Sequence, residues 1–543
     1  MPAKKKSASS PSNASPAPEQ KRARYSAFTE LGFKETISSI CEEIREIYQE
    51  DNVPWIIGYS GGKDSTATLQ LIWLALKDLP DESRTKTVHV ISTDTLVENP
   101  VVSSWVRKSL DEMGRAAIAQ GVPVRPKLLH PRVEETFWVN LIGRGYPAPR
   151  HKFRWCTERL KIKPSNRFIS DVVTQNGEAV LVLGARSEES QARAKVLKQN
   201  EELREGLWYS SRRKLSPSRT LAGCLIYTPV ENWTSDDIWM FLTQVKNPWG
   251  HNNRDLLGMY AGASADGECP LVVDTSTPSC GDSRFGCWVC TLVEKDKSMT
   301  AMIQNDAEKE WMLPLLELRN ALDFRSNATE EDPMNSDHHL RDFRRMTGAV
   351  NMMQNGKSVP GPYTQDSREE WLRRLLQAQT HIRKRGPADV NNIELVTPEE
   401  LQEIRRIWVV DKHELEDTLP GIYEEATGQT YPGAVLDDDL VLGATEMSHL
   451  KEICEEDRLH YELSRELLSL TRQQRSSARR AGLFEKLEKT FSKHFYEDEE
   501  DALGRASKIA AEREARKKRT QDGQPEPQAQ GGISSGNSNP EPI

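Results

Sequence analysis

Trp55-Ile56-Ile57-Gly58-Tyr59-Ser60-Gly61-Gly62-Lys63-Asp64-Ser65 runs directly into Thr66-Ala67-Thr68-Leu69-Gln70-Leu71-Ile72-Trp73-Leu74. Trp55 to Ile57 reads as a short buried strand, and Thr66 to Leu76 as an apolar helix. Two adjacent glycines make the turn between them. Glycine admits positive φ and lets backbone N–H groups approach an anion closely. The helix start behind the turn adds unpaired N–H groups and the positive end of a dipole, a combination that suits phosphate. Lys63 contributes a charge on a long stem. The spacing is not G-x-x-x-x-G-K-[ST], which argues against an ordinary P-loop NTPase. A glycine-rich turn without a ligand is the plain rival.

Outward from this turn the chain alternates strands and helices. Thr87 to Ser92 reads as a second strand, 101–118 as a helix, 123–129 as a strand and Ala179 to Gly184 as another. Such alternation predicts an α/β fold with a doubly wound parallel sheet, its ligands beyond the strand C-termini. Asp94 sits at one such end, where it is either a ligand for ribose, adenine or Mg²⁺ or a capping aspartate. Gly184-Ala185-Arg186-Ser187-Glu188-Glu189-Ser190-Gln191-Ala192-Arg193 follows the last strand and sets two arginines beside the expected anion. Thr234 or Ser235, in Trp233-Thr234-Ser235-Asp236-Asp237, reads as a helix cap.

Ser60 to Ser65 resembles the PP-loop of the ATP pyrophosphatases. Together with Arg154-Trp155-Cys156-Thr157-Glu158-Arg159-Leu160-Lys161, the Arg186 segment and Tyr227 to Trp239, it is similar to the PAPS reductase-like branch of that family over roughly residues 50–245. The resemblance implies an adenine nucleotide alpha hydrolase-like sheet and cleavage of ATP between its α and β phosphates. Ser60, Gly61, Gly62, Lys63, Asp64 and Ser65 would then bind the phosphates, with Asp94, Arg186 and Arg193 completing the nucleotide site. Lys63, Asp64 and Arg186 would be catalytic, Lys63 and Arg186 stabilising the departing pyrophosphate, with Mg²⁺ as a bridge.

Further stretches narrow the likeness. Thr136 to Pro149, Glu268-Cys269-Pro270-Leu271, Pro278 to Cys290, Pro360-Gly361-Pro362-Tyr363-Thr364 and Asp411-Lys412-His413-Glu414-Leu415-Glu416-Asp417, in that order, resemble the DndC family of DNA phosphorothioation sulfurtransferases from about 30 to about 430. Cys280-x6-Cys287-x2-Cys290 puts three thiols on one loop. With a fourth they would suit either tetrahedral Zn²⁺ or an iron–sulfur cluster, and spacing does not choose. The resemblance supplies Cys156 as the fourth ligand and a [4Fe–4S] cluster as the occupant. Cys269 is the spare, read as buried in preference to an alternative ligand or a sulfur carrier. Cys41, Cys224 and Cys454 read as core. The same resemblance implies DNA as substrate, a cysteine desulfurase as sulfur donor, and DndD and DndE as partner subunits.

Composition limits these readings. The 543 residues carry 73 Lys and Arg against 82 Asp and Glu, a net charge of -9 that argues against general adhesion to nucleic acid. Local basic stretches at 150–163 and 191–219 offer either a backbone groove or a solvated face. No run of 18 apolar residues predicts a membrane span, and Met1 to Arg24 lacks the apolar stretch of a secretory signal. Eight cysteines without secretion favour a reduced, cytoplasmic setting. The expected organisation is a disordered basic tail (1–26), the PP-loop domain (27–245), a cysteine-rich iron–sulfur segment (246–300), a helical region (301–500), and a charged helix with a disordered tail (501–543). Within the helical region, 28–48-type periodicity recurs at 310–322, 369–383, 398–410 and 448–470; Phe28 to Tyr48 itself reads as an amphipathic helix opening the PP-loop domain. His338-His339 beside Asp337 reads as a polar loop in preference to a metal site. The rival activities are a PAPS or APS reductase, a tRNA thiolase and a non-catalytic, cluster-bearing ATP-binding assembly subunit.

Overall fold

The structure is a computed structural model that describes residues 26–205, 214–264, 285–323, 325, 337–353, 356–434, 436, 442–455, 457–473 and 482–521. Cys269, Cys280 and the two expected terminal tails, but for residue 26 and the end of the last helix, lie outside them. A six-stranded sheet runs in the order β3-β2-β1-β4-β6-β5. Its strands are β1 (Trp55–Gly58), β2 (Val88–Thr93), β3 (Val124–Leu129), β4 (Ala179–Val182), β5 (Ser216–Pro217) and β6 (Cys224–Tyr227). All neighbours are parallel except the two-residue β5 on the edge. The doubly wound α/β reading therefore holds, and the structure adds β5 and β6 to the strands read from the sequence.

Alternation along β1 explains why helices cover both faces. Trp55 and Ile57 point into one core with Val88, Val90, Val180 and Val182. Ile56 points into the other with Ile91, Ala179 and Cys224. The first core is closed by α1 (Phe33–Gln49), α2 (Lys63–Lys77), α3 (Pro100–Gln120) and, through Trp239 and Leu256, α7 (Ser235–Gln244) and α8 (Asn253–Gly262). Across the sheet, after the single turn α4 (Trp155–Thr157), α5 (Lys163–Asn176) supplies Ile169 and Val172. Last in this half, α6 (Gln191–Glu205) precedes β5.

The expected Phe28 to Tyr48 helix starts only at Phe33. Residues 27–31 form turns, leaving Leu31 exposed, while Phe28 folds back to meet the Trp233 ring at 5.2 Å. Thr234 is the cap of α7, and its partner Asp237 also accepts from Ser26 Oγ and Ala27 N.

A second core joins the Phe137 to Leu160 stretch to helices from the far end of the chain. Phe137, Trp138, Leu141 and Trp155 pack with Leu315, Trp371, Leu375 and Trp408. The helices of this half are α9 (Lys297–Asn305), α10 (Leu313–Leu322), α11 (Gln365–Arg385), α12 (Pro398–Arg406), α13 (Leu419–Thr427), α14 (Ala444–Ile453), α15 (Arg458–Gln473), α16 (Leu483–Lys493) and α17 (Glu499–Gln521). Pro314 is accommodated because it falls in the first turn of α10, where no intrahelical N–H is needed. The expected 398–410 helix gives way to a π turn at Ile407. The single 448–470 helix is two, broken where Glu455 turns to positive φ and Asp457 caps Leu459 and His460.

Glu400 closes a capping box with Thr397 at the start of α12, yet is almost wholly buried. Burial pushes its carboxyl up to about 7 from an ordinary 4.5. The folded state thus holds this proton more tightly than the unfolded chain, and the stability linked to it is present below pH 4.5 and lost as pH rises to about 7. Glu400→Gln is expected to match the native chain at pH 4 and to exceed it at pH 8 by on the order of 2 kcal/mol, measured as urea unfolding free energies at both pH values.

Candidate active site

The sheet order turns back at β1 and β4, so their crossovers leave on opposite sides and open a crevice at their C-terminal ends. The glycine turn enters that crevice from β1, and Gly184-Ala185-Arg186 enters from β4. Gly61 adopts φ 74°, and a Cβ there would lie 2.5 Å from Val106 Cγ2. Trp105 Nε1 donates to the Gly61 carbonyl at 3.1 Å, and the Trp105 ring stacks on His251 at 4.0 Å. Ser65 Oγ accepts from Ser60 N at 3.2 Å and donates to Gly62 O at 3.1 Å, pinning the loop across its own mouth. At the start of α2, Gly62 N donates to Ser60 Oγ and Lys63 N to Tyr260 Oη, each at a long 3.4 Å.

Arg186 is nearly buried and donates from Nε to Asp64 Oδ1 at 2.6 Å. Its Nη1 donates to Glu188 Oε2 and to Trp233 O, each at 3.2 Å. Lys63 Nζ lies 3.2 Å from the other Asp64 oxygen and 5.9 Å above the Tyr260 ring. Asp64 therefore sits between two cations and holds both. Asp94 takes the local capping role: Oδ1 accepts from Leu96 N at 2.9 Å, while Oδ2 accepts from Arg107 Nη2 at 2.7 Å. Arg193 is half exposed, 3.6 Å from Glu189. Ser60 to Ser65, Asp94, Arg107, Arg186, Arg193 and Tyr260 line one cavity of about 1200 Å³.

The far wall of that cavity approaches the cysteines. Gly286 O accepts from Asn99 N, and Trp288 N donates to Val97 O at 2.9 Å, which ties the Cys287 segment to the turn after β2. Cys287 Sγ consequently lies 3.5 Å from Thr95 Oγ1 and 3.7 Å from Glu98 Oε1. Lys161 Nζ is 3.2 Å from the same Glu98, and both Glu98 and Lys161 line the cavity. Burial, reinforced by Glu98, pushes the Cys287 thiol up to about 12. Burial likewise raises Cys156, with a smaller upward push from nearby Cys290. The structure thus brings Cys156, Cys287 and Cys290 into one neighbourhood, and Cys280 lies outside the described residues. Among the described residues no group of three or more His, Cys, Asp or Glu is disposed as a metal site, His338-His339 included. Cys41, Cys224 and Cys454 are buried, as expected of core thiols.

The basic stretch at 150–163 is less free than its composition implies. Arg150 pairs with Asp337, Lys161 with Glu98, and Lys163 with Glu135; Arg159 donates to Asn140 and lies over the Tyr146 ring. His151, Lys152 and Arg154 remain exposed. Sequence reasoning missed Trp105, Arg107 and Tyr260, whose only signal was an aromatic or basic residue on helices adjoining the crevice.

Residues 54–250 match the phosphoadenosine phosphosulfate reductase domain family. This stretch is a PAPS reductase-like domain of PP-loop type. An uncharacterized protein of Methanocaldococcus jannaschii is 24% identical over 206 residues, which cover 38% of this chain and 35% of that protein. The chain thus spans about a third of the curated relative it matches. The U34-tRNA thiolase NcsA from Methanococcus maripaludis, solved with its [4Fe-4S] cluster, aligns at 12% identity and TM-score 0.26, over 55% of this chain and 82% of its own. At that score the fold assignment rests on the sheet order and the domain match. Among the described residues no helix is long and apolar enough to cross a membrane.

In the PAPS reductase-like domain, Gly184 abuts the start of α2: a Cβ there would fall 2.8 Å from the Asp64 carbonyl oxygen and 3.0 Å from Ser65 N. Backbone cannot yield as a side chain does, so Gly184→Ala is expected to destabilise the chain by about 1–3 kcal/mol. Gly258→Ala in α8 meets open space and is expected to gain about 0.5–1 kcal/mol. Urea midpoints of the two variants check the contrast.

Proposed function

We propose that this chain is an ATP-dependent sulfurtransferase acting on the DNA backbone, of the DndC kind. The observation that carries the reading is the single cavity joining the PP-loop to the surroundings of Cys287. At about 1200 Å³ it exceeds the ~300–1,000 Å³ usual for one small ligand, leaving room for a nucleotide and a second reactant together.

In this reading a non-bridging oxygen of a DNA phosphodiester attacks the α phosphorus of ATP, and pyrophosphate leaves with the electron pair of the broken P–O bond. A sulfur nucleophile at the sulfide level then attacks the adenylylated phosphorus, and AMP departs with the original oxygen. The Gly61-Gly62 turn and the α2 N-terminus hold the β and γ phosphates, while Lys63 and Arg186 offset the charge growing on pyrophosphate. Asp64 keeps those cations aimed. Because Asp64 and Asp94 are already held by cations, Mg²⁺ enters with the nucleotide as part of the substrate. Arg193, at the rim, fits the outer phosphates.

Cys156, Cys287 and Cys290 form a thiol set suited to soft metal, with Cys280 as the fourth, and would hold the [4Fe–4S] cluster. That cluster would supply sulfur-handling or electron-transfer chemistry at the end of the cavity away from ATP. The exposed His151, Lys152 and Arg154 suit a DNA backbone at the cavity edge. A cysteine desulfurase as donor, with DndD and DndE as companions in the cytoplasm, completes the reading. Cys454, at 2% exposed, is poorly placed to act as the catalytic thiol of a PAPS or APS reductase.

Purified chain is expected to convert ATP to AMP and pyrophosphate, with Lys63→Ala lowering kcat/KM at least ~100-fold; ADP and orthophosphate as main products would refute the assignment. Mass spectrometry of nuclease-digested DNA and of tRNA, from cells with and without the chain, should show phosphorothioate dinucleotides that depend on it and thionucleosides that do not.

Iron gives an independent measure. After anaerobic purification Cys156→Ser, Cys287→Ser and Cys290→Ser should each lose most iron, and Cys224→Ser should retain it. Stoichiometric zinc without iron would make the site structural.

A further inference from the structure

A second cavity, of about 240 Å³, shares no lining residue with the first. It is enclosed by the 342–348 loop, Pro362 to Arg368 at the start of α11, the Asp411 to Glu414 segment, and the facing ends of α15 and α16. Eight of its lining side chains are lysine or arginine, against five aspartates and glutamates.

Every one of those five acids is already engaged. Asp342 takes Arg344 at 2.8 Å and Arg458 at 2.5 Å, and Glu462 takes the same two arginines. Glu414 is held by Arg368, and Glu466 by Lys493 and His494. Asp411 turns outward to Arg406 at 3.0 Å. Three cations are left over. Among the described residues the Lys412 amine has neither an ion pair nor a hydrogen bond, its backbone N–H alone donating, to Ile407 O, and Arg144 keeps a buried Nε without a partner. Arg345 reaches only the Pro360 carbonyl, at 2.9 Å.

Lys412 and Arg144 are half-buried and Arg345 exposed, and positive charge in excess of the lining carboxylates is favourably offset by a bound anion. Burial accordingly pulls the Lys412 amine down to about 8, Arg368 adding to the effect against the opposing carboxylates of Glu414, Asp342 and Glu462. Guanidinium forks beside an ammonium match the oxygens of a tetrahedral oxyanion. The cavity is larger than a bare phosphate or sulfate requires, so it admits a small organic ester of one. The stretches that build it, Pro360 to Thr364 and Asp411 to Glu414, are two that the PP-loop chemistry leaves without a role.

We infer that this cavity is a second ligand site, taking the phosphate or sulfate group of a small molecule between Lys412, Arg144 and Arg345. The site is independent of the sulfur-transfer reading.

Calorimetric titration of the full chain with inorganic phosphate, and separately with glycerol 3-phosphate, at ionic strength fixed with sodium chloride, tests it. Saturable one-site binding with Kd below about 1 mM is expected in Lys63→Ala chain, in which the PP-loop is disabled. Lys412→Met in that background should weaken binding at least tenfold. Arg345→Gln alters an exposed side chain and should weaken it several-fold with the unfolding midpoint unchanged, which keeps the test valid if Lys412→Met folds poorly. Tighter binding of glycerol 3-phosphate would identify an ester as the ligand, and equal binding a free anion. Absence of saturable binding, or binding unchanged in both Lys412→Met and Arg345→Gln, would overturn the proposal.

Discussion

The Arg186–Asp64 pair is the constraint on which the crevice depends. It spans the point where the sheet order reverses, joining the segment after β4 to the first turn of α2. Neither partner is free to do otherwise: Arg186 is nearly buried and Asp64 has Lys63 on its second oxygen. An ion pair so placed adds little to net stability, since desolvation offsets its Coulomb energy, but removing one partner strands the other. Its role is geometric. It fixes two cations relative to the α2 N-terminus before any ligand arrives, and preorganised charge is what leaving-group stabilisation requires.

Much of this was legible in the residues because each signal was local. The glycine pair, the strand before it and the apolar helix after it are contiguous, and the 2-fold alternation of Trp55, Ile56 and Ile57 specifies two covered faces. Legibility failed where long-range packing overrode local preference. Leu31 belongs to the right periodicity, yet the chain turns before the helix and sets Phe28 edge-on against Trp233. The break in 448–470 depends on Asp457 capping, a short-range competition that hydrophobic spacing does not register.

At the site the same division appears. Ser60 to Ser65 announce themselves, whereas Trp105, Arg107 and Tyr260 become meaningful only when α3 and α8 are brought to the crevice. Asp94 is engaged at both oxygens, and only one of its partners is local: one oxygen shapes the turn after β2 while the other holds Arg107, thirteen residues on. Likewise the basic stretch at 150–163 counts as a patch in sequence and largely dissolves into pairs with Asp337, Glu98 and Glu135 in space.

The second core carries a consequence for how this chain can be divided. Family likeness ends at residue 250, but Phe137, Trp138, Leu141 and Trp155 are covered by Leu315, Trp371 and Trp408 from far beyond that point. Severing the chain at the edge of the likeness would strip the cover from four large apolar side chains and uncouple the stretch carrying Cys156 from that carrying Cys287. Inherited module and cooperative unit therefore have different borders here: the helical half is the missing wall of the domain that precedes it.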